Sequence, residues 1–336
     1  MDFMLSIDIK KLPVPITYRN KIMLIGSCFT EHIGNALEEL KFSVFQNPNG
    51  ILFGPDSVCR SLDWYMENRE LTENDLFQLN EVWNSWMHHS RFSHIQKQAA
   101  LAAMNSTREQ AHSFLRETDW LIITLGSSFS YRLTATANRA SEALHAGVAN
   151  CHRAPASWFS KEMLGIPAMQ AMLESTLERL RQFNPSMNIL FTVSPVRHIR
   201  DGVVENNRSK ARLIEVIHQL VQAHSFVHYF PAYELVIDVL RDYRFYDIDL
   251  VHPNYPATTF VLEKFTQSCI EEETARIIQE VKKINIARRH KAFQPDTMAH
   301  RAFLADFAEK ARKLTEQYPF LDLGSEITYF TSPPDL

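Results

Sequence analysis

Short apolar runs alternate with amphipathic segments along most of the chain, up to about residue 270. Runs of this length bounded by turn residues predict buried strands, and a 3.6-residue apolar repeat predicts the helices that cover them. The strand candidates are residues 22–25, 43–45, 120–125, 189–193 and 226–230. This alternation is typical of βα units around a mostly parallel sheet, so the pattern predicts an α/β fold.

The segments between these runs carry the apolar faces expected of helices. One face comprises Phe29, Ile33, Ala36, Leu37 and Leu40, a second Met169, Met172, Leu173, Leu177, Leu180 and Phe183, and a third Leu213, Val216, Ile217, Leu220 and Val221. Ser106 and Glu109 form a capping-box pattern, which predicts a helix that begins near residue 106.

Two segments interrupt the alternation, residues 68–103 and 131–157, and are expected to be insertions near one rim of the sheet. After about residue 270 the pattern turns helical, with a proline-containing break at FQPDT. We therefore expect one α/β domain over residues 1–268 and a C-terminal helical extension over residues 269–336 that packs on it.

Composition narrows the classes of function. The 336 residues are 45% hydrophobic and 22% charged, with a formal net charge of -4. No basic stripe with interleaved aromatic residues is present, so no nucleic-acid partner is expected. No apolar run approaches a membrane span and the first residues lack a secretory signal, so we expect a cytoplasmic protein without a membrane partner. The four scattered cysteines suit neither a disulfide framework nor a zinc site, and no cofactor is expected.

The first predicted strand stops at Gly26-Ser27-Cys28, which places two possible nucleophiles in a strand-to-helix turn. In a parallel α/β sheet, ligands bind beyond the carboxyl ends of the strands, where such a turn presents its side chains. The N–H groups and positive dipole end of the following helix are expected to lower the pKa of Cys28. In YDIDLVHPN, Asp249 and His252 are three residues apart, a spacing that lets a carboxylate orient an imidazole toward a nucleophile.

These residues resemble the GSCFA domain family, a branch of the SGNH (GDSL-like) hydrolase superfamily. The resemblance rests on GSCFT at residues 26–30 and on Asp249-x-x-His252, with support from SPVRHIRDGV and VANCHRAP, and it covers residues from about 20 to 260. Together with the alternation, it implies a three-layer α/β/α sandwich with a mainly parallel sheet. It also implies an ester-handling enzyme in which His252 is the general base and Asp249 orients it.

The resemblance leaves two residues open as the nucleophile. The superfamily's first block reads Gly-Asp-Ser, and alignment with GSCFT puts Cys28 in the place of the serine. A shift of one residue makes Ser27 the nucleophile and Cys28 the first packed residue of the helix. The register favours Cys28. Without a catalytic role, Ser27 would be a helix N-cap and Cys28 a small buried apolar residue.

The resemblance also implies an oxyanion hole, formed in the superfamily by the N–H of the nucleophile, a glycine after the second strand and an asparagine after the third. Here NPNG follows the second strand, so Gly50 offers an N–H, and Asn47 or Asn49 offers an amide. Ser128 stands where the asparagine is expected, and Asn150 is another candidate for that role. The NPNG run is equally typical of a plain turn.

Two further pairs of residues are candidates for contact with a substrate. Arg197 and His198 follow the fourth predicted strand and suit an anionic or hydroxyl-rich substrate, although a surface pair would look the same. Cys151 and His152 are a second thiol and imidazole. Sequence neighbours rarely form a nucleophile and base, so a lid or substrate contact is the better interpretation of this pair.

The first insertion contains WNSWMHHSRFSH, residues 83–94, whose aromatic rings and imidazoles suit stacking on sugars. We expect Trp83, Trp86 or His89 to line the cleft. The stretch has no acidic residue and its adjacent histidines diverge on any regular element, so no metal site is expected.

Two classes of function follow from these patterns. The first is hydrolysis or transfer of the acyl group of a small-molecule or glycan ester. This is the leading interpretation. The alternative is a non-catalytic protein that binds a carbohydrate or small ligand on the same fold, which the departures at the nucleophile and oxyanion positions keep open.

Overall fold

A five-stranded parallel sheet forms the centre of the fold in this computed structural model, which describes residues 4–137 and 147–332. The strands are β1 (Lys21–Gly26), β2 (Ser43–Gln46), β3 (Phe77–Leu79), β4 (Val82–Asn84), β5 (Trp120–Leu125), β6 (Phe129–Leu133), β7 (Phe159–Met163), β8 (Asn188–Val193) and β9 (Val227–Tyr229). The central sheet has the order β2-β1-β5-β8-β9. All five predicted strands are confirmed, with ends that differ by at most one residue.

Helices flank this sheet and complete the predicted α/β/α sandwich. In chain order, the helices of the described residues, including those of the C-terminal part, are α1 (Cys28–Glu39), α2 (Pro55–Glu67), α3 (Lys97–Arg116), α4 (Ile166–Phe183), α5 (Val203–Ala223), α6 (Ala232–Glu234), α7 (Tyr255–Cys269), α8 (Glu272–Arg289), α9 (Met298–Gln317) and α10 (Gly324–Thr331), and α6 continues into a π-helix over Leu235–Leu240. Among the helices of the described residues, none is long and apolar enough to cross a membrane.

Both faces of the sheet are buried, which explains why its central strands read as uninterrupted apolar runs. On one face, Met23 and Ile123 pack in a core with side chains from α2 to α5. On the other face, Ile22 and Ile122 are 0% and 4% exposed.

The start of α3 differs from the prediction. The helix begins at Lys97, and Ser106 lies in its middle, where the hydroxyl accepts a hydrogen bond from the Gln110 side chain. Ala100 and Met104 extend the buried face of α3 toward its N-terminus. The predicted capping box is therefore wrong, because tertiary packing outweighs the local capping pattern.

Two antiparallel hairpins account for the interruptions of the βα pattern. Strand β3 pairs with β4 inside the first predicted insertion, and β6 pairs with β7 on either side of the second. Residues 138–146 of the second insertion lie outside the described residues. As far as the chain is described, neither hairpin joins the central sheet.

The chain divides into two compact units. The first contains Lys21–Gly34 and Val44–Glu263 with the N-terminal residues up to Ile9, and it includes every candidate site residue. The second contains Lys10–Asn20, Asn35–Ser43 and the chain from Lys264 onward.

Aromatic stacking and a buried carboxylate organise the second unit. Tyr18 stacks on Phe42 with ring centroids 4.4 Å apart. Glu326 is 3% exposed and pairs with Lys41 at 2.9 Å and with Arg288 at 2.7 Å. Two cations thereby compensate for the burial of one carboxylate.

Candidate active site

A sharp turn joins β1 to α1 at the carboxyl edge of the sheet. Gly26 has a φ of +156°, and a Cβ there would come within 2.4 Å of the Thr124 carbonyl oxygen and 2.6 Å of Thr30 Oγ1. Only glycine fits this position. The Ser27 N–H donates to the same Thr124 oxygen at 3.2 Å, which ties the turn to β5.

Ser27 caps α1. Its Oγ accepts a hydrogen bond from the Phe29 N–H at 3.3 Å, and its carbonyl oxygen accepts one from the Thr30 N–H at 2.8 Å. Ser27 is 4% exposed. The next residue, Cys28, is the first residue of α1 and is only half-buried. The hydroxyl thus fills an N-cap role, and the thiol is the more accessible of the two groups.

The pKa of the Cys28 thiol is raised above its ordinary value, chiefly because burial penalises the thiolate. Hydrogen bonds from the N–H groups of Phe29 and of Cys28 itself oppose this rise, as does the positive charge of Lys210, whereas Glu31 adds to it. The prediction that the helix N-terminus lowers this pKa is therefore wrong, because desolvation outweighs the donors.

The turn after β2 supports the turn after β1. Asn47 Oδ1 accepts a hydrogen bond from the Gly26 N–H at 2.9 Å, and Asn47 Nδ2 donates to Glu31 at 3.4 Å. The Gly50 N–H donates to the Asn47 carbonyl oxygen at 2.7 Å. Arg91 donates to the same oxygen and, at 3.3 Å, to Glu31. These bonds give Asn47 and Gly50 a structural role and favour it over the expected oxyanion role.

Ser128 lies in a buried cluster of hydroxyls after β5. Its N–H and its Oγ both donate to Ser209 Oγ, at 2.7 and 3.1 Å, and Ser127 Oγ lies 3.3 Å from the same atom. Ser128 is 0% exposed. Its hydroxyl is therefore bonded to α5 rather than turned toward a ligand.

The first turns of α5 carry polar residues on the buried face of the helix. Asn206, Ser209 and Lys210 continue the apolar face of this helix at helical spacing. Asn206 Oδ1 accepts a hydrogen bond from the His198 N–H at 2.9 Å. Polar groups on a buried face thus meet the loops at the carboxyl edge of the sheet.

Lys210 is a buried cation at this edge. It is 1% exposed, and its Nζ donates to the carbonyl oxygens of Gly126 and Ser194, each at 2.6 Å. Burial lowers its pKa to about 7, and the negative charge of the Cys28 thiolate acts in the opposite direction. Near neutral pH, both the ammonium and the neutral amine are therefore present.

His198 lies over Gly126. A Cβ at Gly126 would be 3.3 Å from His198 Nε2, and the imidazole packs on Phe53 with ring centroids 5.1 Å apart. Burial lowers the pKa of His198 to about 4, and the charges of Lys210 and His252 contribute to this shift. The imidazole of His198 is therefore neutral at pH 7.

Asp249 and His252 contact each other as their spacing predicts. His252 Nδ1 lies 2.6 Å from Asp249 Oδ2, while Asp249 Oδ1 accepts hydrogen bonds from the N–H groups of Val251 at 2.9 Å and His252 at 3.0 Å. These bonds, with the His252 N–H first among them, lower the pKa of Asp249 to about 2. A carboxylate at Nδ1 keeps the proton on that nitrogen and leaves the Nε2 lone pair free, as a general base requires.

The loop that carries this pair is joined to the loop after β8. The Arg197 N–H donates to the Val251 carbonyl oxygen at 3.3 Å, and the guanidinium lies 4.4 Å from the centroid of the Tyr246 ring. His198, the next residue, experiences the charges of both His252 and Lys210, and Lys210 experiences that of Cys28. Residues from the beginning and from the end of the first unit's sequence therefore lie around one edge of the sheet.

Comparison with models of protein families gives two matches in this chain. The model of the GSCFA family matches residues 21–265. The chain belongs to the GSCFA family. A second model, the C-terminal domain of GSCFA domain proteins, matches residues 281–332 of this GSCFA protein. A comparison with curated proteins finds no match. The first match includes every candidate site residue.

His89 brings the first insertion of the GSCFA protein to the site. A Cβ at Gly50 would lie 2.2 Å from His89 Cβ, and the His89 N–H donates to the Asn49 carbonyl oxygen at 2.8 Å. Burial and the charge of Arg91 lower the pKa of His89. The insertion therefore packs on the turn after β2.

The two tryptophans of this insertion pack against side chains of α3 and of the two hairpins. Trp83 packs beside α3, with Lys97 Nζ 4.3 Å from its ring centroid. Trp86 stacks on Phe77 with centroids 3.6 Å apart and meets Phe159 of the other hairpin edge-on at 5.7 Å. Trp86 thus joins the two hairpins. Within the described residues, no group of three or more His, Cys, Asp or Glu side chains is arranged to hold a metal ion.

Asn150 and its neighbours are bonded to the first insertion. The Asn150 N–H donates to the Trp86 carbonyl oxygen at 3.2 Å, and Asn150 Oδ1 accepts a hydrogen bond from the His152 N–H at 2.8 Å. The His152 Nε2 lies 2.8 Å from the Ser85 carbonyl oxygen. Burial raises the pKa of Cys151 to about 11. The imidazole of His152 is thus engaged by a backbone carbonyl.

Two charged residues of the site, Lys210 and Arg91, were not predicted from the sequence. The signal for Lys210 was present, because three polar residues continue the third predicted apolar face toward its N-terminus. Arg91 had no local signal, since its partners Glu31 and Asn47 are distant in sequence and meet it only in the fold.

Proposed function

We propose that this GSCFA protein is an ester hydrolase or acyltransferase, with Cys28 as the nucleophile and His252 as the general base. The observation that carries the proposal is the contact of Asp249 with His252 Nδ1, which leaves Nε2 available to accept a proton. The candidate nucleophile is the half-buried thiol at the first residue of α1, in the turn at the carboxyl end of β1.

The proposal includes membership of the SGNH hydrolase superfamily. GSCFT at residues 26–30 resembles the first block of that superfamily, and Asp249-x-x-His252 resembles its last. The parallel sheet flanked by helices supports this relationship, because it suits the α/β/α fold that the resemblance implies.

The choice of Cys28 over Ser27 rests on accessibility and hydrogen bonding. Ser27 is buried and its Oγ is occupied as the cap of α1. Cys28 is half-buried, and the N–H groups of Phe29 and of Cys28 itself are directed at its sulfur. Donors arranged in this way stabilise negative charge at that position.

In the proposed reaction, the Cys28 sulfur attacks the ester carbonyl carbon as its proton passes to His252 Nε2. The tetrahedral intermediate collapses, the carbon–oxygen bond breaks, and the leaving alcohol takes the proton from His252. The resulting thioester is attacked by water, or by a second alcohol in acyl transfer, whose proton passes to His252 and then returns to the sulfur. Asp249 holds the imidazole in the required tautomer throughout.

The oxyanion is proposed to bind at the start of α1. The donors expected from the sequence at Asn47, Gly50 and Ser128 already have partners within the protein. At the start of α1, the Phe29 N–H is shared with Ser27 Oγ, so the N–H of Cys28 itself is the proposed donor to the developing charge.

The proposed substrate is a small-molecule or glycan ester in the cytoplasm. His89 and Arg91 lie on the turn after β2 and add hydrogen-bonding groups to the same edge of the sheet. Four free thiols suit a reducing compartment.

Turnover of 4-nitrophenyl acetate tests the proposal. We expect Cys28→Ala and His252→Ala each to lower kcat by about 100-fold or more, because each removes a reacting group. Cys151→Ala is the matched control, since Cys151 is also half-buried but is predicted to leave activity unchanged. Full activity of both the Cys28→Ala and His252→Ala variants would exclude catalysis at this site.

The second candidate is a protein that binds an ester or glycan without turnover. The raised pKa of Cys28 favours this alternative, because a protonated thiol is a poor nucleophile. Calorimetric titration with an acetylated sugar separates the two functions. A binding protein would leave the ester intact, whereas the proposed enzyme would release acetate.

A further inference from the structure

Aromatic rings hold the positive charge of Arg197 in place. Arg197 lies in the loop after β8, and its guanidinium carbon is 4.4 Å from the ring centroid of Tyr246 and 5.4 Å from that of Tyr243. Both distances are within the range in which a cation is attracted to an aromatic ring. Tyr246 is 5% exposed, so the protein around this ring fixes its position. The guanidinium is therefore held in one place although Arg197 is only half-buried.

No ion pair joins Arg197 to a carboxylate in the parts of the chain that the structure describes. The acidic side chains that form ion pairs in its own loop, and in the loop it contacts, form them with other cations. These are Asp201 with Lys161, Asp242 with Arg244 and Asp249 with His252. The charge of Arg197 is therefore available to a group that does not belong to the protein.

Backbone contacts place this cation beside the loop of the proposed general base. The Arg197 N–H donates to the carbonyl oxygen of Val251 at 3.3 Å, and Val251 directly precedes His252. Tyr246 lies opposite Pro253, the residue that follows His252, in an antiparallel bridge. The ring over which the guanidinium lies and the proposed general base therefore belong to the same closed loop.

The geometry of a guanidinium determines what this position can bind. Its five N–H donors lie in the plane of the group, so an aromatic ring over one face leaves the donors at the edge free. Two parallel N–H groups match two oxygens of a carboxylate or a phosphate. A guanidinium that is already held in place also loses little side-chain freedom when it binds. Arg197 is therefore suited to an anionic group.

We propose that Arg197 is a specificity-determining residue that binds a carboxylate or phosphate group of the ligand, so that the ester taken by this site is an acidic one. The inference deepens the proposed function and rests on it for the position of the ester group beside His252. The anionic group belongs either to the acyl half or to the alcohol half of the ester, and the test separates these arrangements.

Calorimetric titration of the full-length protein with stable amide analogues of esters tests the inference. In 4-acetamidobenzoate and 4-acetamidophenyl phosphate, a carboxylate or a phosphate stands on the half that replaces the alcohol. In 6-anilino-6-oxohexanoate, a carboxylate stands on the acyl half. Acetanilide is the neutral reference. The charged analogue that binds most tightly identifies the anion and the half of the ester that carries it.

We expect at least one charged analogue to bind the wild type about 10-fold or more tightly than acetanilide, as a hydrogen-bonded charge pair predicts. Arg197→Gln should remove this preference, because a glutamine amide donates hydrogen bonds but carries no charge. Arg197→Lys should retain part of it, because lysine keeps the charge and loses the planar pair of donors.

Arg244→Gln is the matched control and should keep the preference. Arg244 also lies over an aromatic ring, 5.2 Å from the centroid of Phe245, but it pairs with Asp242 at 3.7 Å. An equal loss in Arg197→Gln and Arg244→Gln would assign the preference to the general charge of the surface and overturn the inference. Equal affinity of the wild type for acetanilide and all three charged analogues would also overturn it, even if Arg197→Gln fails to fold.

Binding of these amides requires no turnover, so the result is distinguishable from that of the proposed function. A preference for the anion that depends on Arg197, in a protein without ester activity, supports the inference and rejects catalysis. An active esterase that binds charged and neutral analogues equally rejects the inference and retains catalysis.

Discussion

At the scale of single residues, a hydrogen bond distinguishes Ser27 from Cys28. The Ser27 Oγ accepts the Phe29 N–H as the cap of α1, while Cys28 is the first residue of the helix and is partly accessible. The sequence placed both residues in this turn, because an apolar run ends at Gly26. It could not give the pKa of Cys28, since that value depends on how much of the fold covers the sulfur.

Ser27→Ala should therefore lower the free energy of unfolding by about 1 kcal/mol, the usual value of an N-cap. Ser27→Gly should cost only a few tenths of a kcal/mol, because glycine is tolerated at this position. Urea unfolding of both variants measures the difference. Unchanged stability of Ser27→Ala together with complete loss of ester turnover would instead make Ser27 the nucleophile.

At the scale of elements, the β1–α1 turn is held by its neighbours on both sides. The Thr124 oxygen of β5 accepts the Ser27 N–H, and Asn47 after β2 accepts the Gly26 N–H. The central strands β1, β5 and β8 were predictable because burial on both faces makes each of them a continuous apolar run. The start of α3 and the two hairpins could not be predicted, because packing against residues distant in sequence determines where they form.

Gly26→Ala should destabilise the protein by about 3 kcal/mol or more, through backbone strain and overlap with Thr124. Gly165→Ala is the matched control. Gly165 caps α4 with an ordinary φ of −74°, and the nearest atom to an added Cβ is Pro167 Cδ at 3.8 Å. We expect thermal unfolding to show a change of about 1 kcal/mol or less for this control, the usual cost of alanine at an N-cap. Equal effects of the two substitutions would contradict the tight packing at Gly26.

At the scale of the whole molecule, stability is coupled to the buried charge of Lys210. Its pKa is about 7 in the folded protein and 10.5 as an unperturbed side chain. Above pH 7 the unfolded chain therefore binds one proton more than the folded protein, so the free energy of unfolding rises with pH.

The Asp249–His252 contact was predictable because both residues lie on one loop. The position of Lys210 could not be predicted, because α5 meets the chain after β5 and β8 only in the folded protein.

Between about pH 7 and 9, this coupling should raise the free energy of unfolding by up to about 1.4 kcal/mol per pH unit. Lys210→Met should remove that slope, whatever its absolute stability. Urea unfolding at several pH values provides the measurement. The window ends near pH 9 because of two buried thiols. Burial raises the pKa of Cys59 and Cys269 to about 12, so at higher pH the unfolded chain loses thiol protons that the folded protein keeps. The free energy of unfolding then falls as the pH rises. An equal slope in wild type and Lys210→Met would contradict the burial of a titrating amine.

Isolation of the acyl-enzyme tests the central claim, that Cys28 is the nucleophile, most directly. The protein is mixed with excess 4-nitrophenyl acetate, quenched in acid and digested, and the peptide of residues 22–41, which contains both Ser27 and Cys28, is sequenced by fragmentation. We predict one acetyl group on Cys28 Sγ that neutral hydroxylamine removes, as expected of a thioester. An acetyl group on Ser27 Oγ, or continued turnover without any acetylation of this peptide, would contradict the account.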